Sequence, residues 1–121
     1  MSAADFVGEL ASLGYEPTDL GDGRCAIDYV VRLGRFTGET IRLGFAQLDT
    51  FPLNPPSTPH ISPHLLPLHP APDLPHPDGA VHASPFGDDW EYWSRPIADW
   101  DRDRSARRVL RHVSDLFAKI P

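Results

Sequence analysis

The sequence predicts an α+β fold in which two terminal helices flank a small antiparallel meander. Apolar residues recur at helical spacing near both ends of the chain. Two stretches rich in β-branched and aromatic residues lie between them and are separated by a glycine-containing loop. A proline-rich stretch then bars regular helix from the middle of the chain. We expect one domain, residues 1–121, because neither half is large enough to fold alone.

The first half of the chain is predicted to form one helix and two strands. The helix spans Ser2–Leu13, with the Ser2 hydroxyl as its N-cap and Gly14 as its stop. Tyr15–Gly23 is predicted to be a turn-rich connection. The strands are predicted over Cys25–Leu33 and Glu39–Leu48, because both segments are rich in residues that favour a pleated, half-buried surface.

The second half is predicted to be irregular before it ends in a helix. Pro52–Pro77 is expected to be extended or polyproline-like, with a short edge strand over Ser57–Ile61. The terminal helix is predicted over Asp101–Ile120 because its apolar residues form one stripe. The stripe consists of Val109, Val113, Leu116 and Ile120.

Charge and composition exclude several function classes. The net charge of −6 argues against a general nucleic-acid binder, which needs a basic surface. No apolar run is long enough for a membrane span, and the N-terminus lacks the basic region of a signal peptide. The single cysteine, Cys25, cannot form an internal disulfide, which is typical of a reducing cytoplasm. The sequence contains no cofactor motif, so no cofactor is expected.

Two further segments resemble a known family. The stretch FPLNPP, with Phe51, Pro52, Pro55 and Pro56, resembles the Tyr-Pro-x-x-Pro-Pro signature of the ubiquitin-conjugating fold, where it follows the meander and leads into the next strand. The later stretch HPAPDLPHPDGAVHAS resembles the active-site segment of those enzymes, with His69 at the position of the His-Pro histidine. The prolines are expected to rigidify a crossover from the meander to the active-site shelf.

The WEYWSR stretch and the terminal helix are similar to the bacterial branch of this superfamily called prokaryotic family E. The resemblance covers nearly the whole chain in order. It implies a fold of the ubiquitin-conjugating type. Trp93, Ser94 and Arg95, together with the FPLNPP residues, are then candidate partner-binding residues, because tryptophan and arginine dominate interface energetics. Each tryptophan taken singly is expected in the core more often than at a surface.

The sequence departs from this family at the catalytic position. The alignment places His82 where the thioester-forming cysteine belongs, and Ala71 where an asparagine stabilises the oxyanion. A thiolate is nucleophilic near neutral pH, and imidazole does not replace it as a long-lived acyl carrier. Cys25 is expected to be a small buried hydrophobe on the first strand. If the protein is an enzyme, the candidates for catalysis are His82, Cys25 and His69.

We therefore expect a non-catalytic protein of a bacterial ubiquitin-like modification system. Its partners would be a ubiquitin-like protein, an activating enzyme or an effector from the same operon, with no nucleic acid and no membrane. Two alternatives remain open. One is an active transferase that uses Cys25 or an unrecognised nucleophile. The other is a histidine-rich metal-binding domain, with His64, His69, His76 and His82 as weak candidate ligands, although none of them forms a recognised ligand frame.

Overall fold

The computed structural model describes residues 2–66, 68 and 81–120. This part of the chain forms two α-helices and six β-strands. In chain order they are α1 (Ala3–Ser12), β1 (Thr18–Gly21), β2 (Arg24–Val30), β3 (Thr40–Ala46), β4 (Ser57–Ser62), β5 (Val81–Ser84), β6 (Gly87–Trp93) and α2 (Ala106–Ala118). The α+β prediction, with a helix at each end, is confirmed. No helix in this part of the chain has the length and apolar character to cross a membrane.

The six strands form one antiparallel sheet in the order β1-β2-β3-β4-β6-β5. Both helices pack on the same face of this sheet. Phe6 of α1 contacts the rings of Phe45 and Phe51, at centroid distances of 4.9 and 5.0 Å. Phe117 of α2 contacts the rings of Tyr29 and Trp93. The core therefore lies between the helices and this face of the sheet.

Alternation along the strands decides which residues reach that core. Cys25, Ile27 and Tyr29 of β2 are buried, whereas Asp28 and Val30 are exposed. Directly opposed residues of an antiparallel pair share one face, so Gly44 of β3 lies on the far face with its partner on β4. This far face carries the candidate site described below.

A serine side chain caps the N-terminus of each helix. The Ser2 side chain accepts a hydrogen bond from the backbone of Asp5, which confirms the predicted cap of α1. The start predicted for the last helix is wrong. Ser105 caps α2 by accepting from the Arg108 backbone, and a 3-10 turn over Trp100–Arg102 precedes it, so the helix begins at Ala106 instead of Asp101. Its predicted apolar stripe is buried.

The sheet is larger than the predicted meander. β1 occupies part of the predicted turn-rich segment, and β5 and β6 were not predicted. β4 is not an edge strand, because it pairs with β3 on one side and with β6 on the other. Its Pro59 lacks a backbone donor, and the register between β3 and β4 shifts at this point. An irregular pairing of this kind accommodates a proline inside a sheet.

The first residues of the proline-rich segment are anchored to the core. Phe51 is fully buried, and the Trp100 indole donates a hydrogen bond of 2.9 Å to the carbonyl of Pro52. Pro56 is buried and Pro55 is half-buried. Residues 67 and 69–80, which include the last part of the predicted Pro52–Pro77 segment, lie outside the described part.

Candidate functional site

A buried histidine forms the centre of the far face of the sheet. His60 of β4 is only 2% exposed and lies between two aromatic rings. The Phe86 ring is 4.6 Å from the imidazole and the Tyr92 ring is 4.4 Å from it, and both are stacked. The two ring nitrogens contact hydroxyls, Nδ1 with Ser84 Oγ at 2.8 Å and Nε2 with Ser57 Oγ at 3.2 Å. Every polar atom of the imidazole is therefore satisfied.

This environment favours the neutral imidazole. Burial and then the nearby Arg24 guanidinium lower the pKa of His60 to about 4. A neutral imidazole has one donor and one acceptor nitrogen, which suits two hydroxyl partners that can each donate or accept. The His60 ring is therefore a structural connection between β4 and the β5–β6 hairpin at neutral pH.

The turn between β5 and β6 covers His60. Phe86 lies in this turn, and the Ser84 hydroxyl accepts a hydrogen bond of 3.1 Å from its backbone. The Phe86 ring packs so closely on Gly44 that a Cβ atom there would lie 2.6 Å from the ring edge. The Trp90 ring also packs against Phe86, at a centroid distance of 4.9 Å. Glycine at position 44 is therefore what allows the hairpin to close over the sheet.

A cleft opens beside His60 where two neighbouring strands diverge. β4 and β6 pair at only two positions, Ile61 with Glu91 and His60 with Tyr92. Beyond this point, the start of β4 and the segment after β6 form the two walls of a cleft of about 440 Å³. The cleft is lined by Gln47, Pro55, Pro56, Ser57, Thr58, Tyr92, Ser94, Arg95, Pro96 and Ile97.

Four of the predicted binding residues meet at this cleft. Pro55 and Pro56 line one wall, and Ser94 and Arg95 line the other, although about forty positions separate the two pairs in sequence. Ser94 is exposed, whereas Arg95 is 7% exposed. The Arg95 guanidinium donates a hydrogen bond of 2.7 Å to the carbonyl of Ser94. The pairing of β4 with β6 brings the two segments together, and neither the FPLNPP nor the WEYWSR stretch predicts this pairing.

Trp93 and Phe51 belong to the core. Both side chains are fully buried, so Trp93 follows the expectation that each tryptophan packs inside. The Trp93 indole donates a hydrogen bond of 3.1 Å to Glu91 Oε1, an atom that also accepts from the backbones of Leu65 and Leu66. Burial raises the pKa of Glu91 above its ordinary value. These bonds anchor the chain beyond β4 to β6.

Cys25 also lies in the core. It is fully buried on β2, opposite Phe45 of β3. Burial, with a smaller contribution from Asp19, raises the pKa of its thiol to about 12. A thiol with this pKa is almost entirely protonated at neutral pH and is a poor nucleophile. Its predicted role as a small buried hydrophobe is confirmed.

The other predicted histidines do not converge on one point. His82 is exposed on β5, on the same face as Tyr92, and His64 Nε2 lies 2.9 Å from the Asp88 carbonyl oxygen. His69 and His76 lie outside the described residues. Within residues 2–66, 68 and 81–120, no three histidine, cysteine or acidic side chains are grouped as metal ligands.

Several residues of the site were not predicted from the sequence. Tyr92, Ser57 and Ser84 contribute through the pairing of β4, β5 and β6, and their sequence neighbourhoods form no motif. His60, at the centre of the site, is likewise not among the residues predicted from the sequence. Comparisons with protein-family models, curated proteins and solved structures find no significant match for this chain.

Proposed function

We propose that this chain is a non-catalytic domain of the ubiquitin-conjugating type. In a bacterial ubiquitin-like modification system, it would bind a ubiquitin-like protein or its activating enzyme. The burial of Cys25 carries the proposal. The chain has one cysteine, which is fully buried with a pKa of about 12, so no thiol is available to accept an acyl group.

The order of elements supports the part of the proposal that concerns the fold. The FPLNPP segment follows the β1–β3 meander and leads into β4, which is the place that the resembling signature occupies in the family. Its Phe51 is buried against Phe6 of α1, and the Pro52 carbonyl accepts from Trp100 near α2. The segment is thus anchored to both ends of the chain, as expected for a rigid connection.

The surface of the same segment supports a binding role. Although Phe51 is buried, Leu53 two positions later is 51% exposed. An exposed leucine in a loop held by buried neighbours presents apolar area to a partner with little loss of backbone entropy. His82, at the position of the missing nucleophile, is exposed on β5 and provides no thiol.

Calorimetry against the proposed partners, a ubiquitin-like protein and an activating enzyme from neighbouring genes, tests the proposal. We expect micromolar or tighter binding to at least one of them. Leu53→Asp should weaken it by more than ~1 kcal/mol, because truncating an interface anchor commonly costs that much. Leu33→Asp is the matched control, since Leu33 is a similarly exposed leucine in the β2–β3 loop, at 48%.

Absence of binding to both neighbouring proteins would refute the proposed function. Equal loss of affinity in the Leu53 and Leu33 variants would instead show that the FPLNPP loop is not the contact surface. Thermal melts of both variants verify that the exposed substitutions leave the fold intact.

A further inference from the structure

The cleft between β4 and the segment after β6 has the dimensions of a ligand site. Its volume of about 440 Å³ falls within the range of small-molecule pockets, roughly 300–1,000 Å³. It opens because strand pairing stops at His60 and Tyr92. Both walls are rigidified by prolines, Pro55 and Pro56 on one side and Pro96 on the other. A cavity with such walls is largely formed before a ligand arrives.

The lining of the cleft is asymmetric in charge. Among the described residues that line it, Arg95 is the one charged side chain, and no carboxylate is present. The chain as a whole carries a net charge of −6, so this cation is not part of a generally basic surface. The lining also includes hydroxyl groups, among them those of Ser94, the neighbour of Arg95 in sequence, and of Ser57 on β4.

Arg95 is held in place by its main chain as well as by its side chain. The His112 imidazole on α2 hydrogen-bonds to the Arg95 backbone, and the guanidinium bonds to the Ser94 carbonyl. Arg95 as a residue is only 7% exposed, and burial of this kind strengthens the interaction of a cation with an anion. A guanidinium has five donors in a planar fork, and this geometry matches a carboxylate through two parallel hydrogen bonds.

We propose that this cleft binds a ligand through a single carboxylate, which Arg95 holds with help from the hydroxyls of Ser94 and Ser57. The apolar part of the ligand packs on Pro55, Pro56 and Ile97. One cation matches one negative charge, which favours a carboxylate over a doubly charged phosphate. The carboxylate belongs either to a free organic acid or to the end of a peptide. This proposal is independent of the function proposed above, because it concerns the cleft alone.

The neighbouring histidine provides a spectroscopic reporter for the cleft. Ser57 lines the cleft and contacts His60 Nε2, and the Tyr92 ring lines the cleft and stacks on the His60 imidazole. A ligand that engages the Ser57 hydroxyl therefore changes the environment of the His60 ring. The resonances of His60 and Tyr92 should shift on binding, whereas those of Phe6, on the helix-covered face, should not.

The test is an NMR titration of the full chain with paired probes. The acids are 4-methylpentanoate and N-acetyl-leucine, the controls are their uncharged amides, and inorganic phosphate is the fifth probe. We expect saturable shifts with the acids, and at least tenfold weaker binding of the amides and of phosphate. Tighter binding of N-acetyl-leucine than of 4-methylpentanoate assigns the site to a peptide end, and the reverse assigns it to a free acid.

One Arg95 variant and one pair of Ser94 variants complete the test. Arg95→Gln should weaken binding of the acids at least tenfold. Because Arg95 is buried, the exposed Ser94 provides a pair of variants that leaves the fold intact. Ser94→Glu removes the hydroxyl and adds a competing carboxylate, and should weaken binding at least tenfold, whereas Ser94→Gln removes the hydroxyl without adding a charge and should weaken binding by a clearly smaller factor. Acids that bind no better than their amides, tighter binding of phosphate, or equal effects of the two Ser94 variants would overturn the proposal.

Discussion

Acidification should destabilise the protein through His60. In the folded state its imidazole is buried between Phe86 and Tyr92, and its pKa is about 4, whereas in the unfolded chain it has the ordinary value of 6.5. Between these two values the unfolded chain binds more protons, so the free energy of unfolding falls as the pH falls. The loss begins below about pH 6.5 and is complete below about pH 4.

The size of this loss follows from the difference between the two pKa values. Each tenfold difference in proton affinity is worth about 1.4 kcal/mol, so His60 accounts for about 3 kcal/mol between pH 7 and pH 4. Urea denaturation across this range measures it. His60→Gln cannot titrate at this position and should lose about 3 kcal/mol less than the wild type over the same interval.

Two comparisons isolate the effect. Burial also lowers the pKa of His112 and raises the pKa of Glu91. Both groups are present in the wild type and in His60→Gln, so their contributions cancel when the two proteins are compared. His82→Gln, which replaces an exposed histidine on the same face, is the matched substitution control. An NMR titration of the wild-type His60 ring gives its midpoint directly. A midpoint near 6.5, or identical pH profiles for His60→Gln and the wild type, would refute this reasoning.

Two packing predictions follow from the cover over His60 and from the proline loop. Gly44→Ala should destabilise the protein by about 1–3 kcal/mol in urea denaturation, because its Cβ would displace the Phe86 ring. The control is Gly8→Ala, at an open position of α1, which should stabilise the protein by about 0.5–1 kcal/mol. A Gly44→Ala variant as stable as the wild type would contradict the close packing of Phe86 on Gly44. Replacing both Pro55 and Pro56 by alanine should cost about 1–2 kcal/mol, because the unfolded chain gains freedom. A melting temperature equal to that of the wild type would show that these prolines do not brace the loop.

Local signals were sufficient to predict the helices and the first core strands. Ser2 caps α1 through a bond to a residue three positions away, and the stripe of α2 depends only on helical periodicity. The burial of Cys25 follows from its place on an apolar strand. These features are encoded within a few residues of one another, so a single sequence reveals them.

The second half of the sheet depends on contacts between distant residues. Glu91 of β6, which lies between Trp90 and Trp93 in sequence, occupies a buried position. The alternation of apolar and polar residues in a strand predicts an apolar side chain there. The Glu91 carboxylate is tolerated because the backbones of Leu65 and Leu66 donate to it. The strand over Ser57–Ile61 was predicted at an edge, yet β4 lies inside the sheet, where a shift in register accommodates Pro59.

The candidate site also combines features that local sequence predicts with features that depend on contacts between distant residues. The sequence named Pro55, Pro56, Ser94 and Arg95 as binding residues from two separate motifs, but only the divergence of β4 from β6 brings them to one cleft. Tyr92 and the serines around His60 have no sequence signal of their own, because their contacts are made across strands.

The most direct test of the proposed function is a thioester assay. The chain is incubated with ATP and with its two proposed partners, a ubiquitin-like protein and an activating enzyme, and is then analysed on a non-reducing gel. Because its single thiol is buried on β2, we predict no reductant-sensitive adduct, while the same mixture still yields a complex on size-exclusion chromatography. An adduct that reductant removes and that Cys25→Ala abolishes would contradict the account and identify an active transferase.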